Sequence, residues 1–90
     1  MSIQEIIESK LSTELSVEHL EVINESHLHA GHAHGGVDTH FKVIIVSPDF
    51  NGKRKVARQQ SVYGILAELI NNPVHALAMQ TMTPEEWHAR

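Results

Sequence analysis

The chain has 90 residues, no cysteine and a formal net charge of −4. That length sets one small domain spanning residues 1–90. The lack of cysteine excludes both a disulfide staple and a thiolate metal site of the chain's own. No apolar run approaches the roughly 18 residues that a membrane span needs. Ser2, Glu5 and Glu8 break any basic-then-apolar leader pattern, so a cytoplasmic protein is expected.

Taken in order, Ser2 followed by Glu5 fits a capping box. Ile3, Ile6, Ile7, Leu11 and Leu15 then recur at helical spacing, which predicts an amphipathic helix to about Leu15. Val17 to Glu25 holds Leu20, Val22 and Ile23 and reads as a strand. Phe41 to Val46 is β-branched and mostly apolar, a strand expected to be buried largely on both faces. Residues 47–52, Ser-Pro-Asp-Phe-Asn-Gly, are turn chemistry. Val62, Ile65, Leu66 and Leu69 mark a second helix, expected from about Lys55 to Asn71 and ending at Asn-Asn-Pro. Ala76 to Met82 forms a last strand. Thr83, Pro84 and Glu86 supply cap, first-turn proline and capping-box partner for a short terminal helix carrying Trp87.

The resulting order is α-β-β-α-β-α. The first two strands form an antiparallel hairpin. The second and third are joined through a helix and should run parallel with a right-handed crossover. The fold class is α+β, with helices packed on a three-stranded mixed sheet.

Between the hairpin strands lies the most distinctive segment, residues 26–40. It carries five of the eight histidines: His27, His29, His32, His34 and His40. Glycine and alanine separate most of them, so the segment has little with which to build a core. Residues 27–37 are expected to be the most mobile internal stretch. Imidazole is a common metal ligand and titrates near neutral pH, so the loop is a candidate metal site. His40 opens a strand and reads as structural or surface. His19 and His88 have no partner pattern. His75, taken alone, reads as structural.

Charge is unevenly spread, at −6 over the first 50 residues and +2 over the last 40. Lys53, Arg54, Lys55 and Arg58 cluster at the start of the second helix. They could meet phosphate, although a solvated helix start is the plainer reading on a mildly acidic chain. Four aromatic residues leave little to stack on bases. The sequence has no cysteine nucleophile, no His-Glu-x-x-His helix and no Gly-x-Ser-x-Gly elbow, so no enzyme is expected.

Several pieces in fixed order resemble the BolA-like family. They are Leu20-Glu21-Val22 leading to Glu25-Ser26, Thr39-His40-Phe41-Lys42-Val43, Val46-Ser47 and Phe50-Asn51-Gly52. Val56, Arg58 and Val62-Tyr63 follow, then Val74-His75-Ala76-Leu77 and Thr81 through Trp87. The family usually reads Arg-His-Arg before the Val-Tyr pair; here the residues are Arg58-Gln59-Gln60.

The resemblance implies a fold similar to class II KH domains. It also implies partnership with a monothiol glutaredoxin and a shared [2Fe–2S] cluster, in cluster trafficking or iron regulation. The matching ligands are His75, just before the last strand, and His29, three residues after Ser26, with His32 and His34 as alternates. Glutathione and the partner would supply sulfur. Some family members are transcription regulators, which makes DNA binding the competing reading. The loss of ionisable residues at Gln59 and Gln60 makes any such binding weak. The resemblance leaves room for a homodimer of the free chain.

Overall fold

The structure, a computed structural model, describes residues 2–26 and 39–90. The segment expected to be mobile, and His27, His29, His32 and His34 within it, lie outside the described residues. Helix α1 (Ile3–Glu14) begins at the capping box: the Ser2 hydroxyl accepts the Glu5 N–H at 3.1 Å, and the Glu5 carboxylate accepts the Ser2 N–H at 2.9 Å. That backbone hydrogen bond holds the Glu5 carboxyl below its usual range. The helix ends as Leu15 turns extended, with Ile7 and Leu11 fully buried beneath it.

Strand β1 (His19–Asn24) pairs antiparallel with β2 (His40–Val46), which pairs parallel with β3 (Ala76–Met82). Successive side chains alternate between faces. On the inner face Val22 stands beside Val43, which faces Met79; Ile45 lies between Leu20 and Thr81, and Phe41 faces Leu77. Ile7 and Leu11 of α1 pack on this face with Val62 of helix α2 (Lys55–Ile65) and with Leu66 just after it.

Both helices cover one face, so the expectation of a strand buried on both sides holds for half of β2. Phe41, Val43 and Ile45 are buried inward, whereas Lys42 and Ile44 on the outer face are half-buried. Val46 is the outer residue that is fully buried. It lies opposite His19, on which Trp87 of helix α3 (Pro84–Ala89) stacks with 4.4 Å between ring centroids.

Helix α2 stops six residues short of the expected Asn71. After Gly64, a poor helix former, the backbone tightens: Ala67 N–H donates to Gly64 O and Leu69 N–H to Leu66 O. Leu66 and Leu69 still reach the core, so the apolar period outlasts the helix. The chain then turns through Asn71, at φ 64°, a conformation asparagine tolerates better than most residues. The Asn72–Pro73 peptide is cis.

The outer edge of β3 is covered by side chains from α2. The even-numbered residues of β3 turn their backbone groups toward β2, as when Met82 O accepts from Ser47 N–H. The odd-numbered ones therefore face outward. Of these, Leu77 O accepts from the Tyr63 hydroxyl at 3.3 Å and Thr81 O from Arg58 Nη1 at 3.2 Å. Unpaired edge groups invite strand addition, and these two contacts blunt that edge.

Arg58 is a correction to the basic cluster read from sequence. It is buried at 6% exposure rather than solvated. Its Nε donates to Lys53 O at 2.9 Å, and its guanidinium grips both carboxylate oxygens of Glu86, the nearer at 2.7 Å. Glu86 also accepts the Thr83 N–H that closes the α3 capping box. One side chain thus joins the start of α2, the end of β3 and the start of α3.

The Arg58 hydrogen bond, aided by the Thr83 N–H, lowers the Glu86 carboxyl from 4.5 to about 2. A depressed carboxyl contributes stability that is present above the unfolded value and lost as pH falls through the folded one. The wild type should therefore lose more stability than Glu86→Gln between pH about 4.5 and about 2, as read from urea midpoints across that window. Arg58→Met keeps the packed stem but leaves the buried Thr81 carbonyl without its donor. It should cost about 1–3 kcal/mol in the same assay at an unchanged urea slope.

Candidate functional site

Each of the four described histidines has a definite setting. His19 stacks on Trp87, and its Nε2 lies 2.9 Å from a Glu21 carboxylate oxygen. His40 Nδ1 lies 2.7 Å from the Thr39 hydroxyl. His88 Nε2 lies 2.8 Å from Glu18 Oε2. His75 is exposed, and among the described residues its imidazole has no hydrogen bond, ion pair or ring contact.

The His75 backbone, by contrast, is held. Its N–H donates to Thr39 O at 2.8 Å, and the next N–H, of Ala76, donates to the same oxygen at 3.2 Å. Val74, on its other side, is 2% exposed in the core. The backbone is thus fixed while the exposed imidazole engages none of the described residues.

Thr39 is the first described residue after the histidine segment, and Ser26 the last before it. The two are joined: the Ser26 hydroxyl oxygen accepts Thr39 N–H at 3.0 Å and His40 N–H at 3.2 Å. Glu25 N–H donates to His40 O at 2.8 Å, closing the hairpin one step further in. Both ends of the segment that carries His29, His32 and His34 therefore meet beside His75. Those three candidates themselves lie outside the described residues. Among the described residues no group of three or more His, Asp or Glu side chains could hold a metal ion.

The sequence reading missed Ser26 and Thr39 as contributors. Their signal was present, hydroxyl residues flanking the loop, but what each bonds depends on strand register. Of the basic cluster, Lys53, Arg54 and Lys55 remain exposed at the start of α2, while Arg58 is turned inward. Gly52, at φ 77°, makes the turn before them. The recess at this corner is lined by Asn51, Gly52, Thr83, Pro84, Glu85 and Glu86. An anion entering it would face two carboxylates, which argues against a phosphate site there. Gln59 and Gln60 are exposed and neutral further along the helix.

The family described as BolA-like protein matches residues 11–86. The chain belongs to the BolA-like family. A relative from Haemophilus influenzae, named DNA-binding transcriptional regulator BolA, is 50% identical over 90 residues, covering all of this chain and 85% of that protein. Among solved structures, BolA1 from Arabidopsis thaliana superposes with a TM-score of 0.86 at 38% identity, covering 96% of each chain. The BolA domain of SufE1 from the same plant superposes at 0.85 and 36% identity, again covering 96% of each. The three helices and the mixed sheet are thus the architecture of the BolA-like family, as the sequence resemblance implied. Among the described residues no helix is long and apolar enough to cross a membrane.

Proposed function

We propose that this BolA-like chain is a non-enzymatic adaptor, acting in the cytoplasm, that partners a monothiol glutaredoxin and shares a [2Fe–2S] cluster with it. The observation that carries this reading is His75: an exposed imidazole with no partner among the described residues, on a backbone pinned to Thr39. The second ligand is His29, with His32 and His34 as alternates. His29 is three steps along the chain from Ser26, a reach of at most about 11 Å. With no cysteine, the chain cannot hold a cluster alone, and the partner and its glutathione supply the thiolates.

Such a cluster with imidazole on one iron has a raised potential and a proton-sensitive ligand set. What this chain contributes is donor geometry. His75 offers an imidazole nitrogen from a backbone held by hydrogen bonds, and the second donor comes from the segment whose two ends, Ser26 and Thr39, are joined beside it. Lowering pH protonates imidazole and removes its lone pair from coordination, so acid should loosen the complex. Anaerobic mixing with a monothiol glutaredoxin and glutathione, read by visible circular dichroism, tests the assignment. His75→Ala should abolish the heterodimer's distinctive spectrum with the fold intact, and His29→Ala should weaken it in part. The unmodified spectrum persisting in His75→Ala would contradict the reading.

A DNA-binding regulator is the second reading. It is favoured by the name of the Haemophilus relative and by the exposed run Lys53-Arg54-Lys55. With Arg58 engaged by Glu86, three cations rather than four remain for phosphate. We expect duplex binding to be weak and to fade by physiological salt, because each phosphate contact adds to the salt slope. Replacing all three cations by Gln should flatten that slope by about 2–3 in log–log terms. Tight, sequence-selective binding at physiological salt would instead put this reading first.

A further inference from the structure

We infer that Ser26 is the positioning residue of the His75 site, its hydroxyl holding the Thr39 peptide whose carbonyl pins the His75 backbone; this rests on the reading of His75 as a ligand. A serine oxygen has two lone pairs, and here both are directed to neighbouring backbone donors, Thr39 N–H at 3.0 Å and His40 N–H at 3.2 Å. Ser26 is itself held, because its N–H donates to the Asn24 side-chain carbonyl at 2.9 Å. On the far side of the same peptide chain, Thr39 O accepts from His75 and Ala76. The path from the start of the histidine segment to His75 is therefore two hydrogen bonds and one residue long: Ser26 to Thr39, then Thr39 to His75.

The hairpin does not need this hydroxyl to close. Glu25 N–H to His40 O and the full β1–β2 register below it are made without the Ser26 side chain. What the hydroxyl adds is a joint at which both ends of the segment and the ligand's backbone share one anchor. A threonine retains a hydroxyl oxygen on the same carbon; an alanine removes the oxygen that accepts from two half-buried N–H groups.

The test compares Ser26→Ala, Ser26→Thr and His75→Ala. In the free chain, Ser26→Ala should speed amide hydrogen exchange at Thr39, His40, His75 and Ala76 by about tenfold, with β1 and α1 amides unchanged. In the heterodimer with a monothiol glutaredoxin, glutathione and a reconstituted [2Fe–2S] cluster, it should reduce the visible circular dichroism and speed cluster loss at least about threefold, on the scale of one weakened ligand. Ser26→Thr should restore both readouts. Unchanged exchange at His75 and Ala76 in Ser26→Ala overturns the inference, as does faster exchange with an unaltered cluster spectrum and loss rate. A spectrum lost in His75→Ala but untouched in Ser26→Ala overturns this inference alone. A spectrum retained in His75→Ala overturns the ligand assignment and this inference with it.

Discussion

The rest of the structure depends on the register of β2. It is the central strand, antiparallel to β1 on one side and parallel to β3 on the other. Phe41, Val43 and Ile45 alternate inward against the two long helices, and a slip of one residue would turn all three outward. The same register sets His40 beside Ala76, which puts the Thr39 carbonyl within reach of His75 N–H. The core and the candidate site are thus fixed by one alignment. A buried apolar face enforces it, and the site inherits its precision from packing that has no chemistry of its own.

Around that frame, polar side chains separate into those committed to the fold and those left free. Arg58 binds α2, β3 and α3 together through Lys53 O, Thr81 O and Glu86. His19 and Trp87 hold α3 over one end of the outer face, with Arg90 lying 3.4 Å above the Trp87 ring. Tyr63 and Arg58 occupy outward carbonyls of β3, which discourages strand addition along that edge. His75 is the described histidine that takes no part in this holding work. The contrast between a committed arginine and an uncommitted histidine orders the two functional readings. His75 keeps an imidazole with no partner among the described residues, whereas the basic cluster loses one of its four charges to the interior.

Much of the fold was legible because local signals agreed with tertiary demands. The capping boxes at Ser2 and Thr83, the span Ala76–Met82 and the parallel crossover all follow from residue type and spacing. The second helix was overextended because Leu66 and Leu69 keep the helical period after the backbone has left the helix. Periodicity reports which side chains reach the core, not how the chain carries them there. Arg58 was misplaced for a different reason: its charged sequence neighbours imply solvent, and its partner Glu86 lies 28 residues away. The value of His75 came from family resemblance. Composition alone could not separate it from His19 or His88, since what distinguishes them is whether a glutamate or an aromatic ring stands near in space.

The central claim is that nitrogen from this chain reaches iron. Pulsed electron paramagnetic resonance on the reduced heterodimer cluster tests it most directly, with 15N-histidine incorporated into this chain and the glutaredoxin left unlabelled. The account predicts strong 15N couplings at the cluster that are lost from the His75 position in His75→Ala. A reduced cluster carrying no 15N coupling from this chain would contradict it.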